Sequence, residues 1–288
     1  MLRKAVVLTV GLLVVVGCAQ EPGDTPPDDA AALAKVVVTE RPGQSPLVTL
    51  PTVPFYVSTP VARLVTDGHG AALLAGQELL VGELVVSCTD GSVVDDGWTS
   101  QFPDLVVGKN SVLDAVLTTA HIGAQVLFAL PNATDCDVLL LVITDVVLTQ
   151  ADGTPVPPVP GLPTISVDDA GVPTSMSASG TPPSNLVVQP LLASDRPPAK
   201  AGDTIKVHYS GWLWDGTAFD SSWAREPFTL TLGADQVIAG WDQGLVGQSA
   251  GSRVLLVIPP ALAYEDKDKG QIPPGSTLVF VVDILAVF

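Results

Sequence analysis

The chain has 288 residues, 13 of them Lys or Arg and 30 of them Asp or Glu, for a formal net charge of −17. So acidic a surface repels phosphate backbones and anionic headgroups, which excludes nucleic acid and electrostatic membrane binding as principal roles. The length allows two domains of about 150 residues each, and 26 glycines and 26 prolines among abundant Val, Thr and Leu point to short strands joined by turns.

The first eighteen residues, MLRKAVVLTVGLLVVVGC, place Arg3 and Lys4 before a twelve-residue apolar run from Ala5 to Val16. That run is short for a spanning helix and reads as an export signal. Gly17 directly before Cys18 matches a bacterial lipobox, so residues 1–18 are expected to be a lipoprotein signal with Cys18 as the lipidation site. Residues 19–34, polar and proline-rich, are expected to be a disordered tether. The expected location is extracytoplasmic, on the outer face of the bacterial cell membrane, with the lipid as the only anchor. In that compartment Cys88 and Cys136 either pair as a disulfide or stay free; neither has a metal-ligand partner at the right spacing, and no metal is expected.

Beyond the tether the chain repeats itself at a spacing near 126 residues. LLAGQELLVGELVVSCTDGSVVDD matches AKAGDTIKVHYSGWLWDGTAFD, VVGKNSVLDAV matches TLGADQVIAGW, GAQVLFALP matches GSRVLLVIP, and LLLVITDVVL matches TLVFVVDILAV. Each copy reads as strand, Asp-Gly hairpin, strand, short helix, turn, strand and final apolar strand. The fold class is therefore α+β, mainly β: two domains, 35–150 and 161–288, each a curved antiparallel sheet wrapped around one short helix. QADGTPVPPVPGLP supplies a stiff proline-rich linker at 151–160.

In the second copy, VIAGWDQGL carries Trp241 among glycines, which clear space around a large ring and make it a candidate floor for a ligand. Together with VHYSGWLWDGTAFDSS, PFTLTLGADQVIAGWDQGL and QIPPGSTLVFVVDIL, this copy resembles the FKBP-type peptidyl-prolyl cis-trans isomerases. The resemblance implies an apolar pocket between sheet and helix, X-Pro bonds of polypeptide clients as substrate, no cofactor, and a ligand of the FK506 macrolide type. Residue by residue it implies Tyr209, Phe219, Asp220 and Tyr264 as catalytic groups. It implies Phe228, Val237, Ile238, Trp241, Ile272 and Phe280 as substrate-binding, with Arg225 near Asp220. The loop EDKDKGQ is a residue shorter than the family's usual one and carries Gln271 where an apolar residue is common.

These residue types suit the chemistry in their own right. Prolyl isomerisation makes and breaks no bond and needs no nucleophile; it needs a dry aromatic pocket and a few donors for the flanking carbonyls. The first copy lacks that set. Type-by-type alignment puts Glu83 at the Tyr209 position, Val94 at Phe219, Asp95 at Asp220, Val112 and Leu113 at Val237 and Ile238, Val116 at Trp241 and Val142 at Phe280. About three residues then go missing around LTTAHIG, and the first copy is expected to be a degenerate, non-catalytic domain. GQSAG at 247–251 matches a hydrolase elbow by letter, but it follows a helix and precedes a strand, the reverse of the required order.

Overall fold

The computed structural model describes residues 28–97, 105–132 and 136–288. Cys18, the signal segment and the tether up to residue 27 lie outside the described residues. The first unit opens with α1 (Asp29–Leu33), capped by the Asp28 carboxylate, which accepts from Ala31 N–H. The expected tether of 19–34 therefore ends sooner: Leu33 is fully buried beside Val36 and Phe55, apolar anchors that a solvated tether does not have. There follow β1 (Val37–Arg41), β2 (Gln44–Thr49), β3 (Val61–Thr66), β4 (Leu79–Ser87), β5 (Val93–Gly97), α2 (Ser111–Leu117), β6 (Gln125–Pro131) and β7 (Cys136–Val146).

The second unit contains β8 (Thr154–Pro155), β9 (Thr164–Val167), β10 (Pro173–Ser177), β11 (Val187–Ala193), β12 (Thr204–Leu213), β13 (Ala218–Ser221), β14 (Phe228–Thr231), α3 (Ala239–Leu245), β15 (Arg253–Ile258) and β16 (Leu278–Val287). Its sheet runs β13-β12-β16-β15-β11-β8, with β14 also on β12; the first unit's runs β5-β4-β7-β6-β3. Position for position the strand order is the same, and all the pairings are antiparallel.

Each sheet is covered on both sides. One side of the first takes α2 through Leu113 and Leu117, and the other takes α1 and the β1–β2 hairpin through Leu33 and Val48. In the second, α3 covers one side through Trp241 and Leu245, and the β9–β10 hairpin covers the other through Met176, which packs on Trp212, Leu255 and Val281. On this evidence of packing the repeated unit is longer than the sequence match, because each copy brings its own covering hairpin. Cys88 and Cys136, both buried, are joined by a disulfide that ties the end of β4's segment to the start of β7.

The hydrogen bonds set the register between units more strictly than residue types do. Gly108 N–H donates to Asp114 across six positions and Gly233 N–H to Asp242 across nine, both at 2.8 Å. Asp114 is thus the counterpart of Asp242, and the missing residues lie ahead of α2, not around LTTAHIG. Leu113, not Val116, holds the place of Trp241. Pairing of Phe128 with Leu139 and of Leu256 with Phe280 likewise puts Leu139, not Val142, at the Phe280 position.

The segment 151–160 is no free-standing linker. Ala151 N–H donates to Asp283 at 2.9 Å, Asp152 and Gly153 N–H both donate to Gly251 O, and β8 pairs with β11. Backbone donors that a solvated spacer leaves to water are here taken up by the second sheet. The units also touch directly: Leu148 N–H donates to Leu285 O, Lys206 pairs with Glu78 at 2.7 Å, and Arg196 reaches both Asp145 and Asp152.

Candidate active site

Five rings meet between the second sheet and α3. Trp241, in the first turn of α3, stands edge-on to Tyr209 (5.2 Å, 86°), Phe280 (5.3 Å, 89°) and Phe228 (6.4 Å, 74°). Phe219 closes against Phe280 at 5.4 Å and 87°. Perpendicular contacts set ring edges against π faces and are worth about 0.5–1.5 kcal/mol each beyond the area buried. Trp241 Nε1 is buried with no hydrogen-bond partner among the described residues. Phe228 stays 39% exposed, so the rings wall a cup and do not fill a closed core.

The glycines near Trp241 act differently from the expectation that they clear space for the ring. A Cβ on Gly240 would come within 2.4 Å of the Ile258 side chain, and one on Gly244 within 2.7 Å of Leu256. They let α3 lie directly on β15. The residue that makes room for the rings is Gly211 on β12, where a Cβ would stand 2.8 Å from Phe219 and 2.9 Å from Phe280.

The polar edge of the cup is built on β12 and β13. Tyr209 Oη donates to Asp220 Oδ2 at 2.6 Å, while Arg225 Nη2 donates to Asp220 Oδ1 at 2.7 Å and to Ser221 O. Burial, followed by the Asp220 hydrogen bond and charge, pushes the Tyr209 hydroxyl up to about 12, so it keeps its proton as a donor. Ile238 is the N-cap of α3 with extended backbone, and its N–H has no partner among the described residues. Tyr264 leaves the end of β15's segment and packs against the same apolar cluster, with Lys269 Nζ 5.4 Å over its ring. Val237 and Ile272 join that cluster too. All eleven positions implied by the resemblance are thus brought to one place.

Sequence reasoning missed the support behind that edge. Ser222 is 2% exposed; its Oγ accepts from Tyr209 N–H and lies 2.9 Å from His208 Nδ1, while its own N–H donates to Tyr209 O. The hydroxyl stands in for a ladder carbonyl. It frees Ser222 O to accept from Arg225 N–H and start the turn that swings Arg225 back to Asp220. His208 stacks on Trp223 at 4.5 Å and 20°, and burial holds its basicity below the usual imidazole range. The Ser-Ser pair after Asp220 was the only local signal.

At the matching place in the first unit the described residues offer Glu83, Val94, Leu113 and Leu139, with Val94 largely exposed and Leu113 buried. Asp95 faces the Glu83 carboxyl and, after burial, helps push it up to about 7.

Comparison with known proteins finds its family match in the second unit. Residues 196–285 match the family described as FKBP-type peptidyl-prolyl cis-trans isomerase. An FK506-binding protein of Streptomyces anulatus is 47% identical over 112 residues, which cover 38% of this chain and 90% of that protein. The peptidyl-prolyl cis-trans isomerase FKBP15-2 of Arabidopsis thaliana is 53% identical over 91 residues, covering 31% of this chain and 56% of that protein. Among solved structures, FkpA from Escherichia coli is 39% identical, with 43% of this chain and 51% of that chain covered and a TM-score of 0.33. Through its second unit the chain belongs to the family of FKBP-type peptidyl-prolyl cis-trans isomerases.

Proposed function

We propose that the second unit accelerates cis-trans isomerisation of X-Pro bonds in polypeptides without a covalent step. The observation that carries this reading is the five-ring cup with a sparse polar edge. Rotation about the X-Pro bond faces a barrier of about 18–20 kcal/mol because amide resonance is lost. The twisted amide is less polar than the planar one, so a dry, ring-lined site favours it over the ground state. Ile238 N–H and the Tyr264 hydroxyl are the donors for carbonyls flanking the proline. Arg225 braces Asp220, which in turn orients Tyr209 at the edge of the cup. The same cup suits a macrolide of the FK506 type.

The finer reading is an exported lipoprotein, anchored through Cys18, that assists folding of proteins outside the cytoplasmic membrane. The lipobox supports it, as does the Cys88–Cys136 disulfide, since such bonds persist in oxidising compartments. The first unit is read as a non-catalytic copy, because Leu113 and Leu139 stand where Trp241 and Phe280 form the cup.

A protease-coupled isomerisation assay on the chain lacking its first eighteen residues tests the enzyme: turnover of a proline tetrapeptide, inhibited by an FK506-type macrolide, is expected, and a rate equal to background overturns it. Incorporation of labelled fatty acid that disappears in Cys18→Ser tests the anchor.

A further inference from the structure

Beside the cup, and sharing Tyr209 and Phe228 with it, lies a second hollow of about 280 Å³, closed by Ser222, Arg225, Glu226 and Pro227. Its two charged residues differ in kind. Arg225 is already matched, donating to the Asp220 carboxylate and to Ser221 O. The Glu226 carboxylate is exposed and has no hydrogen-bond or ion-pair partner among the described residues. Phe228 is the exposed aromatic of the pair of rings that the hollow borders. An open ring face beside an unmatched carboxylate suits a lysine or arginine side chain, whose methylene stem lies on the ring while its cation reaches the carboxylate. The net charge of −17 draws basic segments toward the whole surface, and this hollow joins such a carboxylate directly to Tyr209 and Phe228 of the proline cup.

We propose that this hollow is a subsite for a basic side chain of the client, one or two residues from the proline, with Glu226 as its specificity-determining residue. The inference rests on the isomerase reading and adds a substrate class to it: X-Pro bonds flanked by Lys or Arg. An acidic flanking residue meets Glu226 as a like charge, and a purely apolar one gains only the ring.

The test compares peptides carrying lysine, norleucine or glutamate at each of the two positions on either side of proline. Each is followed by a protease-free NMR exchange assay, at low and high salt, on the chain lacking its first eighteen residues. At one of these positions kcat/KM is expected to be about fivefold higher for lysine than for norleucine, consistent with one exposed cation–π and ion-pair contact. High salt shrinks that ratio, Glu226→Gln removes it, and Glu226→Lys shifts the preference to glutamate. A lysine preference that survives unchanged in Glu226→Gln assigns it to the general field and overturns the subsite. So does equal turnover of all three peptides by the parent protein. Background rates on the norleucine peptides instead sink the isomerase reading itself, so the two failures are distinguishable.

Discussion

Tyr209 and Asp220 face each other from β12 and β13 with 2.6 Å between hydroxyl and carboxylate oxygens, and Arg225 holds the carboxylate from its other side. Tyr209→Phe keeps every ring contact and removes only the donor, so kcat/KM should fall about tenfold, the worth of one hydrogen bond to a charged group. Asp220→Ala should cost about as much, with little change in thermal unfolding because its side chain is 44% exposed. The two groups act as one unit, so the double variant should be no worse than the poorer single one. Losses that simply multiply would show that hydroxyl and carboxylate work independently.

Ser222 can be tested separately from the cup it supports. Ser222→Ala leaves the Tyr209 N–H without its acceptor in a place where the serine is only 2% exposed. An unsatisfied buried donor costs about 1–3 kcal/mol, which urea unfolding would register. Because Arg225 depends on the same turn, kcat/KM should fall as well, and Ser222→Thr, which restores a hydroxyl, should recover both. Full activity in Ser222→Ala would mean that the turn holds its shape without the hydroxyl.

The rings of the cup were legible in the sequence because each sits in a motif of fixed spacing, and the alternation along VHYSGW puts Tyr209 on the face opposite to Trp212. What the sequence concealed depends on contacts between distant segments. Matching the two copies by residue type slides Val116 under Trp241, since Val112-Leu113 resembles Val237-Ile238; the Gly108–Asp114 and Gly233–Asp242 hydrogen bonds fix the true partner as Leu113. The proline-rich composition of 151–160 suggested a spacer, because nothing local reveals that Gly251 O and Asp283 accept its N–H groups. Met176 gave no sign of facing Trp212, because a two-stranded hairpin of small polar residues resembles a loop until a sheet lies beneath it.

Asp283 joins the units' connection to the core of the second sheet. It is fully buried, receives Arg253 at 2.6 and 2.8 Å, and also accepts from Ala151 N–H. Asp283→Asn leaves Arg253, 7% exposed, as an uncompensated buried charge, which typically costs about 3–5 kcal/mol. The expected results are a lower urea midpoint and faster proteolysis within 151–160. The first unit has Gln125 and Val142 paired at the equivalent place, so that sheet forms without an ion pair at this position. Replacing both charges by Arg253→Leu with Asp283→Val should accordingly restore most of the stability lost in the single variant. A double variant as unstable as Asp283→Asn would show that the Ala151 hydrogen bond, and not the stranded charge, dominates.

Glu83 makes the first unit sensitive to pH in the direction opposite to an ordinary surface carboxylate. It pairs with Leu141 on β7 and sits near Asp95, so burial first and the neighbouring charge second raise it from 4.5 to about 7. In the unfolded chain the same group ionises near 4.5. Between these values the folded state holds a proton that the unfolded state has released, and stability therefore falls as pH rises through this window. The contribution is fully present below about 4.5 and is lost above about 7. Glu83→Gln removes the titration while keeping the shape, so its stability relative to the parent should rise from pH 4.5 to pH 7 and level off beyond. Urea unfolding of both proteins at intervals across that range measures the difference directly. A difference that does not change with pH would mean that water reaches the Glu83 carboxyl in the folded protein and leaves it an ordinary acid.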